Sequence, residues 1–354
     1  MASRFLLLTF IFIATCAQED VDETMEAFSG YPDPSHEIHQ IPSFTVDSLN
    51  LQKQIDEVAS FSDSPPPSVT RILYSHNDVV ARRLSASTFI KNLMGLAGLF
   101  VREDAVGNIF GRWEGSEPDV PAVSTGSHID AIPYSGKYDG VVGVLGAIEA
   151  INVLKRSGFK PKRSLEVIMF TSEEPTRYGI SCLGSRLLAG SVSLAKALMQ
   201  TVDNANISFL DVAKSVGYAE NEEFSNVFLD EKSYSAFVEL HIEQGPILEN
   251  QGISIGIVTA IAAPASIKVD FGGNGGHAGA VLMPQRNDAG LAAAELALAV
   301  EKHVLESGSI DTVGTVGNPV FCILEVHPGA INSIPSKSHI EIGISPKLFV
   351  KEMP

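Results

Sequence analysis

Two short β-rich runs, Val123 to Thr125 and Leu165-Glu-Val-Ile-Met-Phe170, flank the apolar segment Val141-Val-Gly-Val-Leu-Gly-Ala-Ile-Glu-Ala-Ile-Asn-Val-Leu154, which ends near Gly158. Strand, buried helix and strand at this spacing make a βαβ unit, which commits this part of the chain to an α/β fold around a mainly parallel sheet. Such a sheet presents its chemistry where strands end and loops begin. Those places carry Ser127-His-Ile-Asp130, Tyr138-Asp-Gly140 and Phe170-Thr-Ser-Glu-Glu-Pro-Thr-Arg177. A fourth segment, Glu239-Leu-His-Ile-Glu-Gln-Gly245, alternates apolar residues and closes at Gly245-Pro246, which again sets a histidine at a strand end.

Together these segments hold enough nitrogen and oxygen ligands for two metal ions. Hydrolysis of an amide or ureido bond near neutral pH needs a stronger nucleophile than water. Two divalent ions about 3.5–4 Å apart supply one by lowering the pKa of a shared water. Asp139, on a tight Tyr-Asp-Gly turn, suits the bridging position. His128 suits a terminal position, with Asp130 holding its other ring nitrogen. Adjacent Glu173 and Glu174 point to different sides of a strand end, so one can ligate while the other acts as base. Without a cation the two would repel each other.

Gly272-Gly-Asn-Gly-Gly-His277-Ala-Gly279 lacks the Lys and Ser/Thr of a phosphate-binding loop. A histidine on such a close-approach loop suits polarising a carbonyl, and Asn332 can donate to the same oxygen or to substrate. His36, His39, His76, His303, His327 and His339 have no comparable setting and read as structural or surface residues.

The whole chain is 354 residues long and 45% hydrophobic, enough for one large core or two modest ones. Its net charge of −17 opposes non-specific nucleic-acid binding. Arg4, the apolar run Phe5 to Ala14 and Thr15-Cys-Ala17 read as a secretory signal peptide over 1–17, too short to span a membrane. Residues 18–46 read as a flexible acidic N-terminus. Cys16 leaves with the signal, and Cys182 and Cys322 read as buried small residues, too few for a disulfide framework. Asn206-Ile-Ser208 is a glycosylation sequon. Ser85 to Phe100 has helical spacing. After about residue 255 the texture changes: a half-exposed strand at Ser266–Phe271, a long Ala/Leu-rich helix from its Asp288 cap to Glu306, and strands at 312–316, 321–326 and 340–342. This reads as a small α+β module with one open sheet face.

The metal-ligand and strand-end motifs resemble the dinuclear metallopeptidase-like amidohydrolases, the group containing aminoacylases, carbamoyl-amino-acid hydrolases and allantoate amidohydrolase. The resemblance runs from about Leu49 to Ile342. Thr171 to Arg186 and Gly275 to Pro284 are most similar to members acting on ureidoglycolate. The resemblance implies an α/β, mainly parallel-sheet metallopeptidase-like catalytic domain, begun at 47–254, with an inserted smaller α+β lid or dimerisation domain at 255–342. It implies two manganese ions, with His128, bridging Asp139, Glu174 and His241 as ligands and Glu173 as general base. Glu173, Glu174, His241, Ile242, Glu243, Gln244, His277 and Asn332 would contact the small ureido substrate.

The implied reaction takes ureidoglycolate to glyoxylate, ammonia and carbon dioxide in the endoplasmic reticulum. Allantoate or another N-carbamoyl compound is the alternative substrate. The implied assembly is a homodimer through the lid, with His277 serving the partner subunit's site. Two departures accompany the resemblance. Asn318-Pro-Val-Phe-Cys322 interrupts a run the family keeps continuous. After Ile342 the family's Asp-x-Arg and last histidine ligand are replaced by an aberrant tail over 343–354, with the rest of the catalytic domain missing. A catalytically inactive isoform that only dimerises or binds metal is therefore the second expectation.

Overall fold

A computed structural model describes residues 44–83, 89–219, 224–261, 265–309, 312–317, 325–346 and 349–352. The contact pattern divides the chain after Gln244 into two compact units, earlier than the change of sequence texture at 255. The expected leader at 1–17, most of the acidic segment 18–46, Cys322 and the interruption at 318–322 lie outside the described residues.

The first unit begins with α1 (Ser48–Ser60), whose cap Asp47 accepts the Asn50 N–H. It continues through β1 (Val69–Arg71), α2 (His76–Arg83), α3 (Phe89–Leu96), β2 (Phe100–Glu103), β3 (Ile109–Trp113), β4 (Ala122–His128) and β5 (Ala131–Ser135). Then come α4 (Val141–Arg156), β6 (Leu165–Phe170), α5 (Leu183–Leu188), α6 (Val192–Leu198), α7 (Phe209–Ser215) and β7 (Tyr234–Val238). Of the helix read over 85–100, residues 85–88 lie outside the described residues, and the described part, 89–96, stops short because Gly98 takes a left-handed turn and Phe100 already belongs to β2.

The main sheet has the order β2-β3-β6-β4-β7. β4 lies parallel to both β6 and β7, whereas β2 and β3 join antiparallel, so the sheet is mixed with its parallel strands at the chemically loaded side. Helices cover both faces. Val167 and Met169 of β6 pack with α1, α3 and α4, while Ile168 between them packs with α5, α6 and α7. That two-sided burial is why Val167 to Phe170 of β6 reads as a continuous apolar run rather than an alternating one.

A buried ion pair ties helix to sheet. Arg82 Nε lies 2.7 Å from Asp78 Oδ1, both side chains wholly inaccessible. Arg82 Nη1 also donates to Thr171 Oγ1 (2.8 Å), just past the end of β6. Losing the carboxylate would leave a guanidinium uncompensated in the core, at a cost of about 3–5 kcal/mol.

The second unit holds α8 (Ile247–Gln251), β8 (Gly256–Ala260), β9 (Ala265–Gly272), α9 (Ala289–Glu306), β10 (Thr312–Gly317), β11 (Glu325–His327), β12 (Lys337–Pro346) and β13 (Phe349–Glu352). β12 pairs antiparallel with β9, β10 and β11. Asp288 caps α9 by accepting the N–H groups of Gly290 and Leu291. Residues 343–346 of the tail continue β12, and 349–352 form β13 against β8. Gly343-Ile-Ser-Pro-Lys347 thus begins as strand, since Ile and Ser are compatible with a pleated ladder. Among the described residues no helix is long and apolar enough to cross a membrane.

Candidate metal centre

Because β4 is flanked by two parallel neighbours, the carboxyl ends of three strands emerge side by side. His128 is the last residue of β4, Glu173 and Glu174 follow β6, and Glu239 to His241 follow β7. Asp139 stands at the mouth of α4, whose cap is Gly140 with φ 64°. A Cβ at Gly140 would come within 2.5 Å of the His128 ring, so only glycine lets the helix start this close.

Among the described residues, His128, Asp139 and His241 form a group whose ligand atoms lie within 4.8 Å of one another. Asp139 Oδ1 is 3.2 Å from His241 Nε2 and 3.8 Å from His128 Nε2. Both imidazoles turn the same nitrogen inward. His128 Nδ1 donates to the Asp130 carbonyl (3.0 Å) and His241 Nδ1 to the Ile242 carbonyl (2.8 Å). A carbonyl can only accept, so the ring protons sit on Nδ1 and the Nε2 lone pairs face the centre. Gln244 Nε2 donates to Asp139 Oδ2 (2.7 Å), while the buried Oδ1 has no aligned hydrogen-bond donor among the described residues. An orphaned carboxylate oxygen between two inward lone pairs is the donor set of a divalent cation, and these residues fit one.

Asp130 faces the His128 ring as the sequence suggested, with its carboxylate Oδ1 3.6 Å from Nδ1, and its carbonyl takes the shorter contact to the same nitrogen. The wholly buried carboxylate also accepts the N–H groups of Glu173 (3.2 Å) and Glu174 (2.9 Å). Glu173 turns Oε2 towards His128 Nε2 at 3.8 Å. Glu174 lies outside the three-residue group.

The charges suit a cation. Burial pulls the His128 imidazole down, yet Asp130, Glu173 and Asp139 outweigh it and push the pKa up to about 10. Asp139 raises His241 against the effect of burial. Burial first, and Glu173 beside it second, push the Glu174 carboxyl up to about 7. The same crowding of negative charge that holds these protons would hold a divalent cation.

The other expected residues are distributed as follows. Ile242 lends its carbonyl to His241, Glu243 lies in the same loop, and Gln244, expected to contact substrate, orients Asp139. His277 and Asn332 belong to the second unit, where a bridge from His277 to Ser333 and the Ala278 N–H to Asn332 carbonyl bond (2.9 Å) bring them together. Gly279 N–H donates to His277 Nδ1 (3.1 Å), which leaves the His277 proton on exposed Nε2 as a free-standing donor. Sequence reasoning did not single out Ser127 and Glu239, joined at 2.6 Å. The signal was there: Glu239 ends an apolar strand as Glu173 and Glu174 do.

The model of peptidase family M20/M25/M40 matches residues 125–340. The chain is 70% identical over 347 residues to a ureidoglycolate hydrolase of Arabidopsis thaliana, covering 95% of this chain and 71% of that protein. It is 71% identical over 328 residues to a ureidoglycolate hydrolase of Oryza sativa subsp. japonica, covering 91% of this chain and 66% of that protein. The crystal structure of AtUAH in complex with glyoxylate superposes with a TM-score of 0.79 at 73% identity, over 85% of this chain and 70% of that one.

Metal binding should therefore release protons and strengthen with pH. The ligands bind as neutral imidazole and ionised carboxylate, and both His128 and Glu174 hold protons more tightly than usual, so raising pH removes the competitor. Calorimetric titration with Mn²⁺ should give tighter binding at pH 8 than at pH 6 with proton release, and Asp139→Asn should weaken it at both. An affinity flat across this range would contradict the assignment.

Proposed function

We propose that this chain, which belongs to peptidase family M20/M25/M40, is a metal-dependent amidohydrolase that converts ureidoglycolate to glyoxylate, ammonia and carbon dioxide. The observation that carries the reading is the convergence of His128 Nε2, His241 Nε2 and the orphaned Asp139 Oδ1 beside Glu173. The substrate is supported by 70% identity to a ureidoglycolate hydrolase over nearly the whole of this chain.

His128, Asp139 and His241 would hold the metal, with Glu174 as a further ligand and manganese as the proposed ion. A divalent cation bound there supplies Lewis acidity, polarising the carbonyl under attack and strengthening water as a nucleophile. Glu173 takes the proton of the attacking water at Oε2 and returns it to the departing nitrogen. Asp130 keeps that carboxylate in place through the Glu173 and Glu174 amides. In the second unit, His277 offers Nε2–H as a donor suited to a carbonyl oxygen gaining negative charge.

We also propose that the second unit pairs with a second copy. Leu291, Leu298 and Leu305 of α9 recur every seven residues and are 50%, 66% and 77% exposed, an apolar stripe that a self-complementary helix pair would cover.

The assay is ammonia release from ureidoglycolate by the mature chain with added Mn²⁺, with allantoate as control. Release should be selective for ureidoglycolate, and Glu173→Gln should lower kcat by about 10²–10⁴-fold. No ammonia from a folded, manganese-loaded chain would overturn the reading. In sedimentation velocity the chain should run as a dimer that Leu298→Glu converts to monomer. A wild-type monomer would dismiss the pairing.

A further inference from the structure

The loop that carries the two glutamates returns on itself before α5 begins, and its return is tightly specified. Three successive amides bond back to the strand end: Cys182 N–H to the Glu173 carbonyl (2.7 Å), Leu183 N–H to Ser172 (2.8 Å) and Gly184 N–H to Thr171 (2.8 Å). Cys182 and Ser172 both take left-handed backbone conformations, with φ 52° and 51°. Residues other than glycine adopt this region only when their surroundings enforce it. A Cβ at Gly184 would collide with Asn108 Oδ1 and with the Thr171 backbone, so the loop closes without slack.

This closure sets the half-buried Cys182 side chain against Glu173. Cys182 Sγ lies 3.3 Å from Glu173 Oε1, while Glu173 Oε2 is the oxygen directed at His128. Glu173 is itself 40% exposed, and in the described structure the other group gripping its carboxylate is His128, at 3.8 Å. A glutamate has three rotatable bonds, and an exposed one samples them freely. Burial and the facing carboxylate push the thiol up to about 12, so Sγ carries its proton and donates. The thiol faces a carboxylate rather than an imidazole, which is the wrong setting for a nucleophile.

We propose that Cys182 is a positioning residue: its thiol holds Glu173 Oε1, which leaves Oε2 aimed at the metal centre to take the proton of water. The inference rests on Glu173 being the base. Its value would lie in fixing one rotamer of an otherwise loose side chain, so that the reacting oxygen is already in place when substrate binds.

The test compares Cys182→Ala, which removes the donor, with Cys182→Ser, which keeps one. Cys182→Ala should lower kcat about tenfold, with KM within twofold and manganese content unchanged, and Cys182→Ser should recover most of the loss. In a Glu173→Gln background, Cys182→Ala should have no further effect on kcat. A readout independent of turnover is the S–H stretch, isolated as the infrared difference between the wild type and Cys182→Ala. It should lie below that of a free thiol and move up in Glu173→Gln. Full kcat in Cys182→Ala, or an S–H stretch indifferent to Glu173→Gln, overturns the proposal. Equal losses in the Ala and Ser variants accompanied by a lower Tm would make the residue structural and also overturn it. Should Glu173→Gln itself retain activity, it is the assignment of the base that fails, and the infrared result then stands apart from that failure.

Discussion

The Asp130 carboxylate, buried at the end of β4 and accepting the backbone N–H groups of Glu173 and Glu174, is the joint on which the site depends. It locks the strand carrying His128 to the strand carrying both glutamates. Burial opposes its ionisation, but His128, Arg82 and the Glu174 amide hold its pKa below the usual carboxylate range. A charge removed from water must be paid for by such partners. Arg82 reaches the same region through Thr171, so the buried ion pair with Asp78 belongs to the scaffold of the site as well as to the core.

With the strand ends fixed, the chemistry follows from crowding. Asp139, Glu173, Glu174 and Glu239 meet two imidazoles whose protons are tied outward to backbone carbonyls. The result is an excess of electron-pair donors facing one another. Raised pKa values at His128, His241 and Glu174 are the response of such a cluster when protons alone must balance it. One divalent cation answers the same demand and, in the proposed mechanism, leaves Glu173 free to work as a base.

Much of this was readable in the chain, and the reasons are local. The strand at 165–170, the 123–125 part of the strand that spans 122–128, and the helix after Gly140 are β-rich or apolar runs, and Asp288 is a cap visible by type and position. His128, Asp139, Glu173, Glu174 and His241 stood out because polar residues at apolar strand ends need a reason. What the chain concealed depends on non-local pairing. The antiparallel edge β2-β3 and the pairing of β13 with β8 follow from partners distant in sequence. The additional bonds at Asp130, whose carbonyl shares the imidazole with its carboxylate and whose carboxylate also takes two amides, and the turning of Gln244 onto Asp139 depend on loop geometry that no spacing encodes. Cys182 read as a small buried residue because the left-handed turn that directs its thiol to Glu173 leaves no mark on composition.

The most direct measurement is anomalous diffraction at the manganese edge from crystals of this chain equilibrated with Mn²⁺. The predicted result is a peak within coordination distance of His128 Nε2, Asp139 Oδ1 and His241 Nε2, lost in Asp139→Asn. Manganese bound elsewhere in the wild type, with those three atoms left uncoordinated at saturating metal, would contradict the account.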